Sequence, residues 1–409
     1  MTLTLTPARL KGTVTPPPSK SQAHRLLLAA ALAEGESVIS NVARSQDMDA
    51  TVNCLAELGA EFRWEGDGLS APAALRVTGM GAGSMSPNRR MALPRLDCGE
   101  SGSTLRFLIP VALAVRGGGV FTGHGRLMER PLKPYFDLFE ERGIFYERKG
   151  DALTVRGRLE PGEYRLPGNV SSQFFTGLLY ALPLLEGDSR ILLTTELESR
   201  GSVDMTLDAL AQFGVKAEYD GARAFHVPGN QYYRHRDLAI EADWSNAAFW
   251  YAAASLGCPV DIQGLNACSV QGDMRIVPYY MKLQGEGPVD LDVSQCPDLV
   301  SPLAAMAARG GTRSGHWDTS SATGPGRDRR TACSWITRSP WTEPGLSPAT
   351  STGWPRALAA NQKAPLDQSP SMAKSRWRYT WFPGTRKRRS PSYSAETPHW
   401  DRASRVMST

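Results

Sequence analysis

The sequence of 409 residues lacks the features of membrane, exported and zinc-binding proteins. No apolar run approaches the roughly 20 residues that a membrane helix needs. The N-terminus alternates like a strand and has neither a basic start nor a cleavage site, so it does not indicate export. The six cysteines show no Cys-x-x-Cys spacing, which predicts reduced thiols rather than disulfides or zinc ligands. These absences favour a cytoplasmic protein.

An excess of positive charge is absent from the first three quarters of the chain. Residues 1–310 carry 30 Lys and Arg against 35 Asp and Glu, whereas residues 311–409 carry 16 against 6. The formal net charge of +5 therefore originates in the last quarter. An argument from charge for nucleic-acid binding concerns that segment alone, and residues 376–389 are a weak candidate for a basic arm.

The last quarter also lacks hydrophobic periodicity. From about residue 312 no window sustains a helical or strand period, although seven of the ten tryptophans lie beyond residue 310. Disordered tails are usually poor in tryptophan and folded domains are periodic, so this segment is typical of neither. We interpret residues 312–409 as an out-of-frame translation of the coding sequence, and we expect them to be disordered or poorly packed.

Ahead of residue 312, two local patterns repeat. In the first, a predicted helix ends at a glycine and an alternating hairpin follows, at Gly59, Gly143 and Gly214. Glycine adopts the left-handed conformation that ends many helices, and the Gly-Asp or Asp-Gly pairs that follow are typical of hairpin turns.

In the second pattern, polar residues that can cap a helix precede a run of small and apolar residues. It occurs at residues 18–25, 100–106, 170–174 and 244–247. Such helices have no polar face and should be buried under a sheet.

The two patterns alternate and define a unit of about 70 to 80 residues, which holds a buried helix, a strand, a second helix and a hairpin. Three units span about residues 19–230, a fourth begins at Ser245 and a fifth at Pro297. The sequence therefore predicts an α/β fold, or α+β in the broader sense, built from copies of one module. Its length predicts two or three domains.

The start of the first unit is suited to an anion. Free N–H groups of a first helical turn form a positive concavity, to which Lys20 and Arg25 would add two charges. The alternative is a capped surface helix with two solvated cations. The same alternative holds for the serines at the other helix starts, for Arg130 ahead of a proline, and for Asp298 as an N-cap.

Seven motifs follow one another over residues 1 to about 311. They are Pro18-Ser19-Lys20-Ser21 with Arg25, residues 100–107, Glu129-Arg130-Pro131-Leu132, residues 170–174, Ser199 with Asp204-Met205-Thr206, Gln271-Gly272-Asp273, and Pro297-Asp298. In this order and spacing they resemble the 3-phosphoshikimate 1-carboxyvinyltransferases, or EPSP synthases, of the enolpyruvyl transferases.

The resemblance implies two domains built from βαβαββ units, with a chain that enters one domain, completes the other and returns. On this basis residues 18–235 form a complete three-unit domain. Residues 1–17 and 236–311 form part of a second domain, and residues 312–409 are the aberrant tail. An unfinished domain would expose a sheet edge and apolar helix faces, so we expect poor solubility.

The activity that the resemblance implies is transfer of the enolpyruvyl group of phosphoenolpyruvate to the 5-hydroxyl of shikimate 3-phosphate, with release of phosphate. This is a step towards chorismate and the aromatic amino acids. The implied protein is a monomer that needs no cofactor or metal, and its partners are the two small-molecule substrates, with neither nucleic acid nor a membrane.

The resemblance also implies roles for individual residues. Asp298 matches the proton acceptor and thus the catalytic position. The residues that match the shikimate 3-phosphate site are Lys20, Ser21, Arg25, Ser171, Ser172, Gln173, Ser199 and Asp298. Those that match the phosphoenolpyruvate site are Lys20, Gly102, Arg106, Arg130 and Gln173.

Three departures from the family pattern stand out. Ser202 lies where a tyrosine is usual, and Glu100 lies where asparagine is common. After Asp298, the Lys-Glu-Ser/Thr-Asp-Arg motif, the Asp-His-Arg motif and a late lysine are missing. These motifs supply the acid partner and further cations around phosphoenolpyruvate, so turnover is expected to be impaired.

Two alternatives remain within the superfamily. The first is a UDP-N-acetylglucosamine enolpyruvyl transferase, which uses a Lys-Asn pair and a cysteine on a mobile loop. Here Lys20 is followed by Ser21, and Cys98 does not lie on a plausible lid. The second is a non-catalytic protein that binds shikimate 3-phosphate without turnover.

Overall fold

The computed structural model describes residues 10–81, 92–285 and 289–308. The tail at residues 312–409 and the start of the predicted second domain, residues 1–9, lie outside the described residues. The helices are α1 (Lys20–Leu32), α2 (Gln46–Leu58), α3 (Gly102–Arg116), α4 (Lys133–Arg142), α5 (Ser172–Ala181), α6 (Arg200–Gln212), α7 (Trp244–Ser255), α8 (Ile276–Gln284) and α9 (Val300–Ala307). Short 3₁₀ helices lie at Leu127–Glu129, Leu182–Leu184, Gly272–Arg275 and Pro297–Leu299.

The strands are β1 (Gly12–Val14), β2 (Glu36–Val42), β3 (Glu61–Glu65), β4 (Ala73–Thr78), β5 (Arg95–Asp97), β6 (Gly118–Thr122), β7 (Phe145–Lys149), β8 (Ala152–Arg156), β9 (Gly162–Leu166), β10 (Ser189–Leu193), β11 (Glu218–Tyr219), β12 (Ala224–Val227), β13 (Leu238–Ala239) and β14 (Val260–Ile262). They form three four-stranded sheets, in the orders β13-β2-β4-β3, β5-β6-β8-β7 and β9-β10-β12-β11. Strands β1 and β14 form a separate parallel pair.

The three four-stranded sheets share one topology. In each sheet, an edge strand (β13, β5 or β9) pairs in parallel with the strand that follows a buried helix (β2, β6 or β10). The hairpin that comes next along the chain adds two antiparallel strands. Parallel pairing of consecutive strands requires a crossover, which α3 provides between β5 and β6 and α5 provides between β9 and β10. This arrangement confirms the repeated α/β module.

The strands that precede α1 and α7 along the chain exchange their pairing partners. Strand β1 precedes α1 along the chain, but it pairs with β14, which follows α7. Strand β13 precedes α7, but it pairs with β2, which follows α1, at Leu238–Ile39 and Ala239–Ser40. The first sheet is therefore completed by residues that lie just beyond the predicted boundary at residue 235.

The helix–glycine–hairpin pattern is confirmed in all three units. Gly59 and Gly143 end α2 and α4 with φ angles of 119° and 63°, and Gly214 follows the cap of α6 with a φ of 78°. The hairpins β3–β4, β7–β8 and β11–β12 come next and are antiparallel.

The polar starts of three buried helices are also confirmed. The side chains of Ser19, Ser101 and Ser171 each accept a hydrogen bond from a backbone N–H of the first turn. At the fourth start, the residue that caps the helix lies just before the predicted stretch 244–247. Helix α7 begins at Trp244, because the carboxylate of Asp243 accepts the hydrogen bond that caps it.

Buried apolar side chains form two clusters. The first core extends from Ala23 to Ile240 and includes nearly all of α1, α3 and α5. Helices α3 and α5 approach closely at Gly177, where an added Cβ would lie 2.6 Å from the Arg106 carbonyl oxygen. The second core extends from Trp244 to Ala307 and joins α7, α8 and α9. In the part of the chain that is described, no helix has the length and apolar character needed to cross a bilayer.

Candidate functional site

Most of the predicted site residues lie in the first turns of four helices, or just before them. Lys20, Gly102, Ser172 and Arg200 are the first residues of α1, α3, α5 and α6. A helix begins with N–H groups that have no partner within the helix, and its dipole favours an anion there. Whether the four ends can act together depends on the contacts between their first turns.

Lys20 is exposed and forms an ion pair with Asp47 in the first turn of α2, with 2.8 Å between Nζ and Oδ2. An exposed pair of this kind adds little to stability because water and salt screen it. Its main effect is to fix the position of the ammonium group beside Ser21, which is also exposed. Both residues can therefore reach a ligand.

Arg25, in contrast, is buried and joins α1 to α6. Its Nε donates to Thr206 Oγ1 (2.9 Å), Nη2 donates to the Ser202 carbonyl (2.9 Å), and Nη1 donates to the Ser21 carbonyl (2.7 Å). Its guanidinium also lies over the ring of Phe107, 5.4 Å from the centroid. Burial lowers the pKa of Arg25 to about 10, and the group stays charged at neutral pH.

The same network continues into α5. Thr206 Oγ1 lies 2.9 Å from Thr176 Oγ1, and Thr176 Oγ1 donates to the Ser172 carbonyl (3.3 Å). A chain of buried hydrogen bonds therefore runs from Arg25 to the first residue of α5. It keeps the starts of α1, α5 and α6 at fixed separations.

A second buried network joins α1 to α3 through α2. His24 Nδ1 lies 2.8 Å from Thr51 Oγ1, which lies 2.7 Å from Thr104 Oγ1. Thr104 Oγ1 donates in turn to Ser101 Oγ (2.8 Å), the cap of α3. Burial, followed by the charge of Lys20, lowers the pKa of His24 to about 3, so the imidazole is neutral. Its Nε2 has no hydrogen-bond partner among the described residues.

Gln173 connects the two groups of predicted ligands. Its Nε2 donates to Ser103 Oγ (3.0 Å), and its Oε1 accepts from Arg106 Nη1 (2.7 Å). Arg106 is buried and also donates to the Pro131 carbonyl (3.3 Å). The start of α5 therefore contacts the start of α3 directly, and Arg106 links both to the segment that holds Arg130.

Arg130 and Glu100 lie on the loops around this contact. Arg130 is partly exposed and follows the 3₁₀ helix Leu127–Glu129. Glu100 lies against the loop at Gly125, where an added Cβ would lie 2.6 Å from Glu100 Oε1. Glycine at position 125, with a φ of 57°, therefore leaves room for the carboxylate that departs from the family pattern.

Ser199 has an unusual backbone conformation. Its φ of 54° and ψ of 45° are left-handed, and its side chain does not cap α6. Non-glycine residues rarely adopt this conformation, and such strain often lies at functional sites. Ser171 caps α5, whereas Ser172 is a buried first residue of that helix. The three predicted serines therefore lie at the starts of two linked helices.

Asp298 is an exposed residue next to the second core, and its charge interacts with those of Asp243 and Asp273. It lies in the 3₁₀ helix Pro297–Leu299, whose last residue is buried in that core. Desolvation by its surroundings, and then the charge of Asp243, raise its pKa. Desolvation also raises the pKa of Asp273 to about 6, with further increases from Asp298 and Asp243, although a hydrogen bond from Ser245 opposes the shift. A base with a raised pKa suits proton transfer near neutral pH.

Sequence reasoning missed Asp47 and Gln295. Asp47 pairs with Lys20 across 27 residues, and Gln295 accepts a hydrogen bond from the backbone N–H of Arg200 across 95 residues. The acidic first turn of α2 was a visible signal for Asp47, but its partner depends on helix packing. No local signal pointed to Gln295.

Comparison with known proteins gives one family. The family profile described as EPSP synthase (3-phosphoshikimate 1-carboxyvinyltransferase) matches residues 5–333. A 3-phosphoshikimate 1-carboxyvinyltransferase of Clostridium kluyveri is 42% identical over 324 residues, which cover 75% of this chain and 73% of the relative. One from Clostridium perfringens is 40% identical over 332 residues, covering 76% of this chain and 75% of the relative.

Solved structures agree on the fold. An EPSP synthase from Acinetobacter baumannii superposes with a TM-score of 0.55 at 20% identity, covering 70% of this chain and 63% of that structure. At this identity the likeness concerns the fold alone. The sequence matches to the curated relatives and the family profile, in contrast, extend over most of the chain, and the chain therefore belongs to the EPSP synthase family, whose members are 3-phosphoshikimate 1-carboxyvinyltransferases.

Proposed function

We propose that the chain binds shikimate 3-phosphate at the starts of α1, α5 and α6, and phosphoenolpyruvate at the start of α3. Gln173 carries this proposal, because its amide bonds both Ser103 and Arg106 from the first turn of α5. Two anion sites would therefore share one side chain. Binding both substrates beside each other converts a bimolecular step into one between neighbours.

The proposed shikimate 3-phosphate ligands are Lys20, Ser21, Arg25, Ser171, Ser172, Gln173, Ser199 and Asp298. The proposed phosphoenolpyruvate ligands are Lys20, Gly102, Arg106, Arg130 and Gln173. Lys20 and Ser21 are exposed, which supports direct contact. Buried Arg25 and Arg106 each already bond protein groups, so their charges would act on the anions from fixed positions.

In the proposed reaction, the 5-hydroxyl oxygen of shikimate 3-phosphate attacks the enol carbon of phosphoenolpyruvate. Asp298 accepts the hydroxyl proton, an acid protonates the methylene carbon, and loss of phosphate with a proton restores the double bond. The raised pKa of Asp298 supports its role as the base. We infer that binding is retained but that turnover is impaired, because the cationic motifs are missing after Asp298.

Two measurements on the full chain test this proposal. Calorimetric titration with shikimate 3-phosphate should show binding, and Lys20→Met should weaken that binding at least tenfold. A tenfold change corresponds to about 1.4 kcal/mol, which one charged contact can supply. The matched control is Lys133→Met, because Lys133 also begins a helix and forms an exposed pair, with Asp137. Equal losses in both variants, or no binding by the parent, would contradict the proposal.

A phosphate-release assay separates the alternatives. Release with shikimate 3-phosphate as acceptor, but not with UDP-N-acetylglucosamine, is the expected specificity. Release at the rate of an intact family member would contradict the inference that turnover is impaired. Binding without any release would support the non-catalytic alternative.

We further propose two domains, a first that comprises α1 to α6 with β2 to β13, and a second that comprises β1, β14 and α7 to α9. The two separate cores support this division. We propose that the chain acts as a monomer in the cytoplasm, which light scattering and cell fractionation would test.

For the tail, sequencing the gene across codons 305–320 tests the proposed frameshift. If the other reading frames beyond codon 312 encode no helix–glycine–hairpin unit, the frameshift is excluded.

A further inference from the structure

The turn that holds Ser199 is strained. The backbone of Ser199 is left-handed, with a φ of 54°, and its side chain forms no hydrogen bond that caps α6. For a residue other than glycine, this conformation costs free energy unless neighbouring groups hold it. The groups that hold the turn therefore also determine where the Ser199 hydroxyl lies.

One side chain from the second core contacts both sides of this turn. Gln295 Oε1 accepts a hydrogen bond from the backbone N–H of Arg200 (3.0 Å), and Gln295 Nε2 donates to the carbonyl of Leu197 (3.4 Å). One bonded residue precedes Ser199 by two positions and the other follows it by one. A single amide therefore spans the strained residue.

A backbone contact supports the same turn from the second core. An added Cβ at Gly201 would lie 2.7 Å from the Cα of Gly272 and 3.0 Å from its nitrogen. Two backbone segments thus approach as closely as the absence of side chains permits. The 3₁₀ helix Gly272–Arg275 and the start of α6 are in contact at this point.

Gln295 links the turn of Ser199 to the segment that holds the proposed base. Gln295 is only three residues before Asp298, the proposed base, and lies between the second core and the proposed phosphate ligand Ser199. We propose that Gln295 is a positioning residue that holds Ser199 in its left-handed conformation and thereby couples the segment of Asp298 to binding of the shikimate 3-phosphate phosphate group. This inference rests on the proposed function of Ser199 as a ligand.

The test uses the full chain and two readouts. Gln295→Met keeps the length of the side chain but removes both hydrogen bonds. Shikimate 3-phosphate binding, measured by calorimetry, should weaken about three- to tenfold, the usual net effect of a lost hydrogen bond. Hydrogen–deuterium exchange of the Arg200 amide, measured without ligand, should accelerate by a similar factor. Gln263→Met is the matched control, because Gln263 is exposed and its amide bonds only to Asp261 nearby.

A double-mutant cycle distinguishes positioning from a general loss of structure. In the Ser199→Ala background, Gln295→Met should change affinity less than about twofold, because the hydroxyl that it positions is gone. An equal loss of affinity in both backgrounds would overturn the proposal, as would unchanged exchange at Arg200. If the parent chain does not bind shikimate 3-phosphate, the proposed function fails, and the exchange measurement alone then decides whether Gln295 holds the turn.

Discussion

His24 makes the first core sensitive to acid in a defined pH range. The imidazole is fully buried, with Nδ1 beside Thr51 Oγ1. Desolvation is the largest cause of its lowered pKa, about 3 against 6.5 for an exposed histidine, and the charges of Lys20 and Arg25 lower it further while Asp47 opposes them. The neutral form is therefore strongly favoured in the folded state.

The sign of the effect follows from proton binding. Between pH 6.5 and about 3, the unfolded chain binds a proton at His24 and the folded chain does not. The contribution to stability is therefore present above the unfolded pKa and is lost as the pH falls towards the folded pKa. Each pH unit within this range costs about 1.4 kcal/mol, so lowering the pH from about 7 to about 5 should cost ~2 kcal/mol.

Titration of Asp273, next to the second core, opposes the loss of stability that His24 causes at low pH. The pKa of Asp273 is raised to about 6 from 3.8, so the folded state binds its proton first and gains stability as the pH falls through that interval. The total pH dependence therefore mixes two opposite contributions. A comparison of the parent with a variant at position 24 isolates the histidine.

The measurement is urea unfolding of the parent and of His24→Asn at both pH values, followed by near-ultraviolet circular dichroism. Asparagine can still bond Thr51, but it does not titrate. On going from about pH 7 to about pH 5, the parent should lose ~2 kcal/mol more stability than the variant. His226→Asn removes a solvent-exposed imidazole and controls for the change in composition. Parallel losses in the parent and His24→Asn would refute the reasoning.

Two further substitutions test the contacts around α6. Arg25→Met removes three buried hydrogen bonds, to Thr206 Oγ1 and to the carbonyls of Ser21 and Ser202, and it should lower the free energy of unfolding by about 3 kcal/mol or more in urea titrations. A loss below about 1 kcal/mol would show that these buried bonds are dispensable. Gly201→Ala should fail to gain the ~1 kcal/mol that alanine provides within a helix, because its Cβ would lie 2.7 Å from Gly272. A full gain at Gly201 would argue against the backbone contact.

The local features of the fold could be predicted because they depend on neighbouring residues. Serine caps a helix through its own first turn, and glycine after a helix adopts a left-handed conformation that other residues resist. The structure bears this out at Ser101, Ser171, Gly59 and Gly143. At α7 the helix cap lies two residues before the predicted Ser245, because the carboxylate of Asp243 accepts the capping hydrogen bond.

The exchange of pairing partners could not be predicted from the residues themselves. Strand β13 is only two residues long, and its pairing with Ile39 and Ser40 joins positions about 200 residues apart. Neither hydrophobic pattern nor turn chemistry selects that partner over a strand of its own module. The resemblance implied that the chain returns to its first domain, but only the structure identifies the strands that are exchanged.

The site shows the same division between local and long-range information. The polar helix starts are visible in sequence, and the family resemblance assigned Lys20, Ser21, Gly102 and Ser172 at these starts to the substrates. What the residues contact was not visible, and Arg25 illustrates the difference. It was predicted as a ligand, whereas the structure shows a buried guanidinium with bonds to three protein acceptors. Its role in binding stays a proposal.

The second core differs from the first in how its helices are covered. In the first core, α3 packs on α5 and α1 packs on α6, so the buried helices cover one another. Among the described residues, α7, α8 and α9 pack on each other but leave large apolar side chains exposed, including Phe249, Leu256 and Met281. Apolar faces of this kind favour association. Because Gln295 lies next to this second core and contacts Leu197 and Arg200, a change in the packing of the core should alter the turn of Ser199 before it alters α1, α3 or α5.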